Sequence, residues 1–147
     1  MSTFKSDQRT NETAVPPVSI KPYEREGRVR VASWTYTTPA SSAPGTSDTV
    51  ELVRLPAGAK ILGGKTACEA LSSAGGTAGV SIGYTGATTR YASSMDLDAA
   101  GEDVFANTIA LNYGDVLTAE KVIIATPTGE TWAVDSKFYG HILYAID

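Results

Sequence analysis

Arg28-Val29-Arg30-Val31-Ala32-Ser33-Trp34-Thr35-Tyr36-Thr37 decides the fold class, because its β-branched and aromatic residues recur with a period of two. Side chains alternate between faces along a strand, so this run reads as a strand. It ends in residues 39–47, a loop of Pro, Ala, Ser, Gly and Thr. A second strand is expected over 49–55, closed by a turn at Pro56-Ala57-Gly58. The next run, 60–71, places Leu62, Gly64, Thr66, Cys68 and Ala70 on one face and Lys65 and Glu69 on the other. Small residues there suit close sheet packing. Ala67, Cys68, Ala70, Leu71 and Ala74 also fit a helical stripe. The strand reading is preferred, because residues 72–76 then form a hairpin loop into Val80-Ser81-Ile82-Gly83-Tyr84, which alternates again.

Residues 85–107 are the least regular. Ser94 to Gly101 could hold one helical turn, capped by Ser93 or Ser94 and ended by Gly101. Further strands are expected at 108–111, 116–117, 121–126, 131–134 and 137–146, with turns at 112–115 and 127–129. Roughly eight short strands at this spacing imply an all-β chain, an antiparallel β-sandwich of the jelly-roll kind over residues 28–147.

Residues 1–27 differ. They mix charges of both signs with Pro16, Pro17 and Pro22, and their larger apolar residues are sparse: Phe4, Val15, Val18, Ile20 and Tyr23. Proline removes backbone donors and favours extended backbone, so no helix or central strand is expected. Two readings stand: a disordered tail, or an extended N-terminal arm that orders on a neighbouring subunit. Val18, Ile20 and Tyr23 speak for the arm, since a purely solvating tail has little use for them.

The totals exclude several functions. Twelve Lys+Arg against 16 Asp+Glu leave a formal charge of -4, which argues against phosphate-driven nucleic-acid binding. One cysteine, Cys68, rules out an intrachain disulfide and a Cys-rich zinc site, and one histidine, His141, rules out His-pair metal sites. No apolar run approaches the roughly 20 residues of a membrane span. The first residues lack the apolar stretch of a secretion signal, so synthesis in a cytoplasm is expected. In the same light, Asn11-Glu12-Thr13 is a glycosylation sequon in form only.

Ala59-Lys60-Ile61-Leu62-Gly63-Gly64-Lys65-Thr66 matches a permissive P-loop, in which backbone N–H groups wrap phosphates, Lys reaches them and Thr holds magnesium. Ile61 and Leu62 occupy the wrap, and the surroundings read as antiparallel β. A Walker-B candidate, Leu143 to Asp147, ends on the last residue. Asp96, Asp98, Glu102 and Asp103 could offer oxygens to calcium or suggest a glycosidase pair, but lack EF-hand spacing and read as a solvated loop. His141 shares its strand face with Lys137, Tyr139 and Leu143 and reads as a surface or interface residue. Cys68 reads as a small buried side chain. Trp34 and Trp132, with Tyr36, Phe138 and Tyr144, read as packing, in the core or between subunits. No cofactor and no catalytic residue is expected.

Leu55-Pro56-Ala57-Gly58-Ala59-Lys60-Ile61-Leu62-Gly63-Gly64 resembles a segment of small structural proteins of tailed bacteriophages. The hairpin into residues 80–84, the irregular stretch with Arg90-Tyr91 and residues 95–101, and the hydrophobic closing strand are similar too. The resemblance covers residues 28–147. It implies a head decoration (cement) protein or other minor virion component: a β-sandwich on the capsid exterior, trimeric, clamping the major capsid protein without catalysis. An extended arm reaching over the shell is part of that implication, with Pro16, Pro17, Val18, Ile20 and Tyr23 as its contacts. The alternative is a tail or head-fibre module that binds a host glycan through exposed aromatics, with Trp34 or Trp132 as candidates.

Overall fold

The computed structural model describes Pro16 and residues 28–72, 76–107, 110 and 112–146. The arm expected over 1–27 lies outside these residues except for Pro16, which is exposed. The period-two run forms β1 (Arg28–Thr37). After it come β2 (Val50–Leu55), β3 (Lys60–Cys68), β4 (Gly79–Tyr84), β5 (Ala87–Asp96), β6 (Gly101–Phe105), β7 (Lys121–Thr128) and β8 (Lys137–Ile146). They form two four-stranded sheets, ordered β1-β8-β3-β6 and β2-β7-β4-β5. β1 pairs with β8, β2 with β7, β3 with β6 and β4 with β5, as in one long hairpin. Two further pairings, β3 with β8 and β4 with β7, roll that hairpin up, and every pairing is antiparallel. The architecture is the expected β-sandwich with jelly-roll pairing.

The β2–β3 corner moves the chain from one sheet to the other. Leu55, Ala59 and Ile61 are fully buried around Pro56-Ala57-Gly58. Gly58 takes a φ of 83°, and its N–H donates to the Leu117 carbonyl at 2.7 Å. The Leu117 N–H in turn donates to the Ala59 carbonyl at 2.9 Å. The segment expected as a strand at 116–117 is thus a brace for the corner, with a single bridge from Val116 to Lys60. A bulge between Ile61 and Gly63 then shifts the register, with Gly63 at a φ of 118°. Ile61 therefore faces inward and Leu62 does not, whereas Gly64, Thr66 and Cys68 hold the inner face as expected.

Between the sheets lies a chain of tilted aromatic rings. Trp34 sits 6.2 Å from both Phe105 and Phe138, and Phe138 lies 5.4 Å from Trp132. Two of these rings lie over glycines on the neighbouring strand. Trp34 is cross-strand from Gly140, and a methyl there would meet the indole at 2.3 Å and the Lys65 carbonyl at 2.7 Å. Phe105 is cross-strand from Gly64, where a methyl would meet the ring at 2.2 Å.

Several expectations are corrected. Residues 85–107 hold two strands, β5 and β6, with no helical turn at 94–101. The Leu97 N–H donates to Ala78 and its carbonyl accepts from Leu71, so the backbone bonds between segments. Residues 131–134 are not a strand, because the Trp132 N–H reaches Pro44 and the Ala133 N–H reaches Leu71. The turn expected at 127–129 begins later, since β7 runs through Pro127, opposite Val80. Of the strand expected at 108–111, only Ala110 is described, in a turn. Residues 69–71 continue neither a strand nor a helix.

Gly140→Ala should destabilise the chain by about 1–3 kcal/mol, because the indole and a backbone carbonyl would both have to give way. Chemical unfolding of the two proteins measures this. An unchanged midpoint would mean that the ring does not rest on the glycine.

Candidate interaction face

Alternation on β1 sends Trp34 inward and leaves Val29, Val31, Ser33 and Thr35 on the outer side. On β8, Phe138 and Ile142 face the core, while Tyr139, His141 and Leu143 share the outer side. The register aligns Leu143 with Val31, His141 with Ser33 and Tyr139 with Thr35. Across β3, Tyr139 pairs with Ala67 and His141 with Lys65. A shallow groove of about 550 Å³ results, with Val31, Ala67, Tyr139, His141 and Leu143 among its lining. Lys65 and Glu102 stand at its β3–β6 side as an ion pair of 2.6 Å. Both ends of that pair are solvated, so it adds little stability.

An antiparallel sheet with one face on the core ordinarily presents polar residues on the other. Here the outer face keeps Val29 and Val31 each 61% exposed and Val104 48% exposed. Covering one such valine is worth roughly 1.5–3 kcal/mol, the scale of a binding contact. This face is the site that the sequence reading did not single out. A signal was available in β1, where Val29 and Val31 take one parity and Trp34 and Tyr36 the other. A strand apolar at both parities has an outer side that water does not suit.

The candidate nucleotide site is overturned. Residues 59–66 form a corner and a strand paired with both β6 and β8. Lys65 projects outward to Glu102, whereas Thr66 is 1% exposed and bonds to the Asp103 carbonyl at 3.4 Å. Lys and Thr on opposite faces of a strand cannot share one phosphate and its magnesium. Leu143 to Ile146 lie in β8, antiparallel to the same segment.

The acidic residues do not converge. Asp96 Oδ1 accepts the Asp98 N–H at 2.9 Å, Asp103 Oδ1 accepts the Val104 N–H at 2.7 Å, and Glu102 holds Lys65. Among the described residues, no group of three His, Cys, Asp or Glu is placed to hold a metal ion. Trp34 and Trp132 are both buried, and the Trp132 indole N–H donates to the Gly79 carbonyl at 3.1 Å. The exposed tryptophans needed for a glycan platform are therefore not there. Cys68 is buried as expected, and that burial pushes its thiol pKa up. Of the arm residues, Pro16 is exposed, and Pro17, Val18, Ile20 and Tyr23 lie outside the described residues.

A polar cluster at one end is structural. Arg90 makes a two-pronged contact with Asp115, at 3.2 and 2.9 Å, and the Tyr91 hydroxyl donates to the same carboxylate at 3.1 Å. Asn112 Nδ2 donates to the Arg90 carbonyl at 2.7 Å. The Asp115 carbonyl accepts the Ile61 N–H at 2.8 Å, so the cluster pins the loop before β7 onto β3 and β5.

No protein-family model and no curated protein matches the chain. Solved structures do. A chain in the cyanophage Pam1 capsid asymmetric unit is similar at 19% identity and a TM-score of 0.71, covering 100% of both chains. A chain in the capsid of Ralstonia phage GP4 is similar at 15% identity and a TM-score of 0.65, over 82% of this chain and 86% of that one. A third, from the acid-stable capsid of Helicobacter pylori bacteriophage KHP30, gives 18% and 0.59, over 80% and 87%. At these identities the likeness is one of fold.

Titration of Tyr91 gives the buried cluster a measurable signature. Burial, and then the neighbouring Asp115 charge, raises its phenol above the ordinary value of 10.0. A raised folded-state pKa contributes stability that is whole below the unfolded value and is lost as pH rises from there through the folded one. Unfolding midpoints should therefore fall above about pH 10, and Tyr91→Phe should flatten that fall. At neutral pH the same change should cost about 0.5–1.5 kcal/mol for the lost hydrogen bond.

Proposed function

We propose that the chain is a bacteriophage capsid decoration (cement) protein that binds the outer surface of the major capsid shell and stabilises it without catalysis. The observation that carries this reading is the match, over the whole length of both chains, to a chain of a phage capsid asymmetric unit. Two features of the molecule agree with it. Its Lys65 and acidic candidates are engaged within the fold, and the outer face of one sheet exposes Val29, Val31 and Val104. Both suit a protein whose work is association.

On this reading the protein resides in the virion, on the capsid exterior, after synthesis in the host cytoplasm. Binding energy gained on the expanded shell but not on its precursor makes expansion harder to reverse, by mass action. A homotrimer raises avidity without a strong single contact. Residues 1–27 act as an extended arm, with Pro16, Pro17, Val18, Ile20 and Tyr23 as its contacts and an ordering cost met on binding.

Sedimentation of the purified protein with expanded and immature capsids tests the reading. The protein should co-sediment with expanded shells and not with immature ones. Deleting residues 1–27 should weaken that binding by about tenfold or more. Equal binding without the arm would remove it from the interface. A full-length protein that ignored both shells would overturn the cement reading.

A further inference from the structure

Resting on the reading that copies sit side by side on a shell, we propose that the outer groove on β8 and β3 receives the Val18–Tyr23 segment of an adjacent copy. The groove crosses neighbouring strands, and its apolar lining comes from Val31, Ala67, Tyr139 and Leu143. In the segment, Val18-Ser19-Ile20-Lys21-Pro22-Tyr23, the apolar Val18 and Ile20 alternate with polar residues. An extended chain would set both against one surface while Ser19 and Lys21 face away. Proline suits an occupant laid over a sheet face, because such a surface reads a pre-extended chain by its side chains rather than by backbone pairing.

The length of chain before β1 points to a neighbour. Only Glu24-Arg25-Glu26-Gly27 separates Tyr23 from Arg28, the first residue of the edge strand. A reversal within that link would lay the segment beside β1, where Pro22 lacks the N–H donor that edge pairing uses. The groove starts at Val31 on β1 and extends across β8 to β3, so the chain would have to turn back and cross the face of β1 to fill it. Running outward instead, residues 18–27 span up to about 33 Å, well beyond the roughly 14 Å radius of gyration of a sandwich this size.

A cross-linking experiment on the full chain decides it. Chains carrying Ile20→Cys are mixed with chains carrying Leu143→Cys and oxidised mildly, both in solution and on expanded shells. The native Cys68 is only 8% exposed and supplies a low background. A mixed two-chain disulfide should form in clear excess over either variant alone. Adding Val31→Asp to the receiving chain should cut its yield by about tenfold, as expected for a charge set into an apolar contact. Val31 is exposed, so that change leaves the core untouched. No excess under either condition would overturn the proposal. So would a double variant that closes only onto itself, since the segment would then occupy its own groove. Sedimentation of the unaltered chain separates the two readings. Shell binding without cross-linking strikes this inference alone, and cross-linking by a chain that ignores shells strikes the cement reading alone.

Discussion

Two aromatic rings resting on two glycines set the spacing on which the sandwich depends. Trp34 lies over Gly140 and Phe105 over Gly64, each across one strand-to-strand contact. Because neither glycine carries a Cβ, the rings lie close to the backbone of their own sheet. That leaves room for Phe138 and Trp132 in the same layer, with Tyr36 6.4 Å from Trp132. Sheets packed face to face stand about 10 Å apart, and side chains this large fit only where something opposite them is missing. The same trade appears in the connections. Trp132 fills the end of the core from a loop, and its backbone and indole N–H groups bond to Pro44 and Gly79.

Most of the fold was legible in the sequence because most strands keep one parity. β1, β2, β4 and β8 fall close to where alternation and turn residues place them. β5 was not legible. Register shifts between Val80 and Ile82, and between Ile82 and Tyr84, break its pairing with β4, and Ser94 takes a φ of 51°. A strand whose phase is reset twice cannot show a single period. Thr131 to Val134 failed for the opposite reason. Its β-branched and aromatic residues look like a strand, but they serve a plug whose partners come from far along the chain. Leu62 shows the limit at one residue, since a single bulge sent it to the face opposite the expected one.

The candidate face was half legible. Its residues stand plainly in the sequence, and His141, Tyr139 and Leu143 were placed together on one side of their strand. What the sequence could not say was that β1 would present Val29 and Val31 to the same side. Parity within a strand is relative, and only the buried Trp34 reveals which parity points inward. Strand parity also disposes of the P-loop match. Lys65 and Thr66 are adjacent in sequence and therefore opposite in space, a relation that a motif written as a string does not carry.

The four sheet edges are protected unequally, and the least protected one borders the apolar face. Exposed edges invite pairing with other chains, and proteins blunt them with charge, brevity or bulges. β6 is five residues long and bears Glu102 and Asp103. β2 carries Glu51 and Arg54, with a register shift between Glu51 and Val53. β5 is broken by its bulges. β1 runs for ten residues, and its charges, Arg28 and Arg30, sit only at its start. The stretch from Val31 to Thr37 has neither charge nor proline to turn a neighbour away. A fold whose core needs nothing from that side can leave it so only if something else covers it or if its exposure is tolerated. Under the proposed capsid role, a contact made at this face by one copy would recur at every equivalent position. The rings and glycines that hold the sandwich lie on the other side of the sheet, so residues of the apolar face beside the open edge can change without disturbing them.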